Sequence, residues 1–262
     1  MEKYIEDQRN SIPQLDFLGG YLPPRVEEQY EIFDGLLSVV DYSAKPDYTG
    51  VEPFFVNINP SLVGDYTGYW THISPKDLSE VFKRFLFAFM SVHTSWKANV
   101  TGYKAIENWW EWINNATELQ DRLVDSRVGM QNNRAKYLNT FATSFWKNPK
   151  FYSKGDNETW VQYRDRLERV TLGLGKAKTS FAIEMCYPNE TNVVCLDTHM
   201  FQAYGLDQTK HARQYADLER HWVEMSKMWN IPPYIARCLY WDAKQGQNSS
   251  QYWSHVFEKQ KT

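Results

Sequence analysis

The chain has 262 residues, 42% of them hydrophobic and 16% aromatic, with eleven tryptophans and a net charge of −3, so it can bury a sizeable core and is not a disordered polyelectrolyte. Its three cysteines, Cys186, Cys195 and Cys238, are too few and too far apart for a disulfide framework, a zinc knuckle or a four-cysteine iron–sulfur cluster. The opening MEKYIEDQRN is no charged leader running into an apolar stretch, and no run of about 18 apolar residues follows, which points to a reducing, cytoplasmic setting without a membrane partner.

Residues 1–75 are expected to pack on the body as a segment of their own, with a helix over 26–40 among Pro-, Gly- and Tyr-rich connections that carry no assignable motif. A helix start follows at Ser74-Pro75-Lys76-Asp77, with Ser74 as N-cap, Pro75 in the first turn and Asp77 completing a capping box. Leu78, Val81, Phe82, Phe85, Leu86, Phe89 and Met90 then recur at the 3–4 spacing of an amphipathic core helix. Further helices are predicted over 102–114, 118–124, 134–146, 160–171, 178–186, 197–204, 215–229 and 231–241. The best strand pattern, 192–196, is too short to imply a sheet. The expectation is a mainly helical, all-α protein, with a core over 76–205 and closing helices over 206–262.

A chain of net charge −3 is an unpromising partner for phosphate until the distribution is considered. Between residues 127 and 180 there are eleven basic and four acidic residues, a local +7, while the remainder carries −10. Segregation of this kind lets an acidic protein bind nucleic acid, although a solvated basic helix face would look the same.

Residues 171–200 read TLGLGKAKTSFAIEMCYPNETNVVCLDTHM. Gly173 and Gly175 flank Leu174 between two helices, where glycines can adopt positive φ and let backbone N–H groups approach a phosphate; the same turn also serves as a C-cap with a tight helix–helix link. Lys178 opens an apolar helix, a place where burial favours the uncharged amine that acts as a nucleophile. Lys176 is the competing candidate and, nearer the turn, suits a phosphate contact. Asp197, ahead of Thr198-His199, suits the N-cap of the next helix and can also hold negative charge beside a sugar that becomes cationic. His93 and His199 lack ligand spacing for a metal, and His199 reads as a helix-stabilising residue.

Taken together, three segments resemble the helix-hairpin-helix DNA glycosylases typified by endonuclease III and the 8-oxoguanine glycosylases. Met90-Ser91-Val92-His93-Thr94-Ser95 is similar to the family's Leu-Ser-x-Gln-x-Thr, with His93 where a residue enters the DNA stack. Val128-Gly129-Met130-Gln131-Asn132-Asn133-Arg134-Ala135 is similar to the Gly-Leu/Tyr-x-x-x-Lys-Ala loop, with Arg134 replacing lysine and Met130 at a wedge position; Met130 can equally fill a core gap, and His93 can be a hydrogen-bonded helix-end residue. LGLGKAKTSFAIEM with VVCLDTHMF is similar to the hairpin, catalytic lysine and aspartate. In endonuclease III-like members the lysine stands two residues after the second glycine; Ala177 is there, and Lys178 comes one later, a pattern like the archaeal 8-oxoguanine glycosylase branch.

The resemblance implies an all-α fold of two helical subdomains with the active-site cleft between them, a hairpin at 172–176 and no iron–sulfur cluster, with at most a monovalent cation on hairpin carbonyls. It implies Lys178 and Asp197 as catalytic residues, and His93, Met130, Arg134, Gly173, Gly175 and Lys176 as DNA contacts. The implied partner of a monomeric enzyme is double-stranded DNA holding a damaged or modified base, an oxidised purine such as 8-oxoguanine first. That base would be flipped and excised, with strand cleavage through a lysine Schiff base (AP lyase). Its pocket is expected to draw on N-terminal aromatics and on Trp222, Trp229, Tyr240 and Trp241. Two other functions fit the same residues: a non-catalytic DNA-binding protein, and an enzyme that modifies an unusual flipped base.

Overall fold

The computed structural model describes residues 44–246 and Ser250, together with the backbone of 30–33 and 36–39. Contacts divide the chain into Met1–Ser43 and Ala44–Thr262. The first unit holds an antiparallel hairpin of β1 (Tyr30–Phe33) and β2 (Leu36–Val39), with Tyr30 opposite Val39 and Phe33 opposite Leu36. It replaces the helix expected over 26–40, of which positions 26–29, 34, 35 and 40 lie outside the described residues. The sequence between the strands is Asp34-Gly35, a dipeptide strongly favoured in two-residue hairpin loops.

Among its described residues, the regular elements of the second unit are all helices. Helix α1 (Glu52–Val56) follows a 3-10 turn at Tyr48–Val51 and leads to α2 (Pro60–His72), a helix where Pro-, Gly- and Tyr-rich connections are expected. Asn59 caps α2 by accepting from Ser61 N at 2.9 Å, with Pro60 in the first turn. Helix α3 (Leu78–Met90) is capped by Asp77 rather than Ser74. Asp77 accepts from Glu80 N at 2.8 Å and Glu80 accepts from Lys76 N at 2.7 Å, whereas the Ser74 hydroxyl donates to the Trp70 carbonyl of α2.

From Phe85 to Met90 every residue of α3 is at most 2% exposed, so its C-terminal half is buried on all sides. Around it pack α4 (Trp96–Ile106), α6 (Gln131–Lys147) and α8 (Lys176–Cys186), with α5 (Ala116–Asp125) bridging α4 and α6. Helix α4 starts six residues before the expected 102, because Ser95 caps it through Ala98 N. The remaining helices are α7 (Trp160–Val170), which packs on α8, α9 (Thr198–Ala203), α10 (Tyr215–Met228) and α11 (Pro233–Gln245). Helix α11 packs on α2 and α10 on α1, so the N-terminal helices of this unit close against the C-terminal ones.

The segment 191–197 is extended but lies in no sheet. Its backbone is satisfied by buried side chains. Val194 N donates to Glu219 (2.8 Å), Cys195 N to Glu184 (3.1 Å) and Leu196 N to the Tyr215 hydroxyl (3.2 Å), which itself donates to the Val194 carbonyl. Each carboxylate is held in turn by a buried arginine, Arg164 on Glu219 at 2.6 Å and Arg237 on Glu184 at 2.9 Å. An apolar run that reads as a strand is thus fixed by side chains of α8 and α10.

Candidate active site

A cavity of about 930 Å³ opens where the loop after α3, the start of α4, the turn into α8, the 195–199 segment and one side of α11 meet. His93, Gly173, Gly175, Lys176, Lys178 and Asp197 all line it. Met130 and Arg134 do not.

The turn between α7 and α8 gives its two glycines different work. Gly173 has φ +92°, and a Cβ there would lie 2.5 Å from the Tyr137 ring of α6, so both conformation and space demand glycine. Gly175 is the extended N-cap of α8, with φ −78° and nothing within 4 Å of a Cβ. The expectation of left-handed glycine geometry therefore holds at Gly173 alone; at Gly175 the missing side chain leaves the N-terminus of α8 uncovered.

Lys176 and Lys178 occupy the first turn of α8 and are both half-buried. The Lys176 ammonium lies 5.9 Å from the centre of the Tyr215 ring, on the side of α10, where it also acts on buried Glu219. The Lys178 ammonium lies 5.6 Å from the Phe181 ring centre. Burial pushes the Cys195 thiol up to about 12, Lys178 opposes that rise and Asp197 adds to it. Lys178 and Asp197 thus both act on one buried neighbour.

Asp197 caps α9, one carboxylate oxygen accepting from Met200 N at 3.0 Å. Thr198 donates to Gln208, whose amide donates to the Leu196 carbonyl at 3.0 Å, closing the other side of the segment. Glu184 anchors the same strip from beneath. Burial pushes its carboxyl upward, and the Arg237 guanidinium and Cys195 N–H pull it back.

Arg134 corrects the sequence reading. It is 4% exposed, and its guanidinium donates to the carbonyls of Phe89, Val92 and, at 3.0 Å, Gly129. Those carbonyls use the group that a phosphate would need, so Arg134 is a brace between two loops. Each loop carries a non-glycine residue in the left-handed region, His93 at φ 49° one position after Val92 and Met130 at φ 50° one position after Gly129. Both are exposed, Met130 to 47%, so Met130 is not a core filler.

Of the aromatics expected around a pocket, Trp241 lines the cavity and Tyr240 does not. Trp222 is fully buried against Phe54 and Phe55, and Trp229 stands exposed at the end of α10. Trp96, Asn99, Phe181 and Arg237 line the cavity without having been singled out. No local pattern marks them, since 96–99 precedes the helix expected from 102 and the others sit on separate helices. Among the described residues, no three His, Cys, Asp or Glu side chains group to hold a metal ion, and no helix is long and apolar enough to cross a membrane.

Helices around a cavity, with a glycine turn and a lysine on its lining, make up a fold that this chain shares with solved helix-hairpin-helix DNA glycosylases. The 8-oxoguanine DNA glycosylase of Methanocaldococcus jannaschii shares it with a TM-score of 0.61 at 15% identity, over 76% of this chain and 94% of that one. The same archaeal glycosylase/lyase in complex with a 15mer DNA containing 8-oxoguanine gives 0.61 at 16% identity, over 76% and 97%. The 8-oxoguanine DNA glycosylase of Thermotoga maritima gives 0.58 at 15%, over 76% and 96%. No family model and no curated protein sequence matches the chain.

Proposed function

We propose that the protein is a DNA glycosylase that binds duplex DNA, flips out a damaged or modified base and excises it, with Lys178 as nucleophile and Asp197 as its partner. The observation that carries this reading is the convergence of Lys178 and Asp197 on one cavity behind the hairpin. The free oxygen of Asp197 takes a proton from the Lys178 ammonium, and the amine attacks C1′ of the flipped nucleotide. The C1′–N bond breaks, its electron pair leaves with the base, and the base takes up a proton. The sugar ring opens to a Schiff base on Lys178. Loss of a C2′ proton then expels the 3′ phosphate by β-elimination, the AP-lyase step.

An oxidised purine such as 8-oxoguanine is the proposed substrate, in keeping with the names of the proteins that share the fold. His93 and Met130 would fill the vacated stack, while the hairpin N–H groups and Lys176 hold phosphates. A monovalent cation at the hairpin would find the carbonyls of Leu172 and Gly173, since those of Thr171 and Leu174 already accept from Leu174 N and the Thr179 hydroxyl.

Borohydride trapping on duplexes carrying 8-oxoguanine, thymine glycol, uracil or hydroxymethylated pyrimidines, scored separately for base release and strand cleavage, tests the proposal. The adduct is expected to vanish in Lys178→Ala and persist in Lys176→Ala. An adduct in Lys178→Ala removes Lys178 from the role. Salt-dependent binding without base release would favour a non-catalytic DNA-binding protein, and a mass change in a retained base would favour modification.

A further inference from the structure

We infer that Asn99 reads the hydrogen-bonding edge of the flipped base, with Trp96, Trp241 and Phe181 as the apolar walls beside it; this rests on the reading of the cavity as a base pocket. Asn99 stands on the first turns of α4, is 3% exposed and lines the cavity. Its Oδ1 is buried and has no hydrogen-bond partner among the described residues. A buried amide oxygen normally has a donor, and an orphan oxygen on a residue that lines a cavity is where a ligand N–H can supply the missing one.

The surroundings suit a planar heterocycle. Trp96, three residues before Asn99 on the same helix, faces Trp241 of α11 with ring centres 6.0 Å apart, and Phe181 of α8 completes the apolar lining near the Lys178 ammonium. An amide in such a pocket offers an acceptor beside a donor. It can therefore pair in bidentate fashion with a base edge that presents a donor beside a carbonyl, as the lactam edge of a guanine-type base does. Apolar walls give affinity for any base; the amide selects an edge.

The test compares a base-bearing substrate with one that has no base to read. On a duplex carrying the excised base, Asn99→Leu is expected to lower the single-turnover excision rate about 10- to 100-fold. On a duplex with an abasic site, its borohydride trapping through Lys178 should stay within about twofold of the unsubstituted protein. Asn99→Asp keeps an acceptor in the same shape and should retain more excision than Asn99→Leu. Excision by Asn99→Leu at the unsubstituted rate overturns the inference, as does a parallel fall of excision and abasic trapping in both variants. If the unsubstituted protein neither excises a base nor traps on abasic DNA, the glycosylase reading itself fails, and the assignment of Asn99 goes with it.

Discussion

The Arg134 guanidinium reaches the carbonyls of Phe89, Val92 and Gly129 at once, and an alanine there leaves all three without that donor. Unmade bonds to a charged donor inside a protein cost roughly 1–3 kcal/mol each, so Arg134→Ala should lose about 3 kcal/mol or more in urea unfolding. Arg134→Lys should rescue little, because an ammonium cannot span the fork of a guanidinium. If Arg134→Ala instead unfolds like the parent and only lowers the salt dependence of DNA binding, the brace is refuted and a phosphate contact restored. The buried thiols make a second expectation at this scale. Burial pushes Cys186, Cys195 and Cys238 up to about 12, so all three are protonated at neutral pH even though Cys195 and Cys238 line the cavity. Ellman's reagent should find almost no reactive thiol in the native protein and three after denaturation; rapid native labelling would show that the cavity thiols are open.

The hairpin joins α7 to α8 and touches α6, and its two glycines separate stability from binding. Gly173→Ala meets a positive φ and the Tyr137 ring together, so it should destabilise by about 2 kcal/mol or more and weaken DNA binding with it. Gly175→Ala meets neither. Its unfolding midpoint should hardly move, within roughly 0.5 kcal/mol, while affinity for DNA falls because a methyl group covers the N-terminus of α8. Equal losses in both variants would mean that the turn does no more than link two helices. Helices such as α3, α6 and α7 are legible because one strong stripe of apolar residues sets each. Helix α2 is not, since Pro60, Gly64, Thr67 and Gly68 suggest turns and only packing on α11 overrides them. The same division runs through the site. Gly173, Lys178 and Asp197 belong to one linear motif, but Arg237, Tyr215 and Asn99 reach the cavity from elements whose arrangement no local pattern encodes. The 191–197 run carries a true signal for extended backbone; that its partners are Glu184, Glu219 and Tyr215 rather than a neighbouring strand is a tertiary fact.

Charge is a property of the whole molecule, and folding redistributes the local +7 over 127–180. Arg134 faces carbonyls, Arg164 is buried on Glu219, and Arg166 pairs with Glu158 at 2.7 Å, so three of the eleven basic groups are engaged by the protein itself. Lys147 lies ten residues along α6 from Tyr137, about 15 Å from the part of that helix that meets the hairpin. With Lys150 and Lys154 following the far end of α6 in the chain and Lys178 assigned to the chemistry, the basic groups left are Arg127, Lys136, Arg169 and Lys176, the first three exposed and the last half-buried. Each phosphate neutralised adds about −0.9 to the slope of log affinity against log salt, so these four predict a slope of about −3.6 on duplex DNA. Titrations over a range of salt concentrations check it. A slope steeper than about −7 would require the three engaged arginines or the groups at and beyond the far end of α6 to reach phosphate. With a shallow slope, the acidic remainder of the chain would hold non-specific affinity low, and under the proposed function retention on a site would depend on the flipped base rather than on backbone charge.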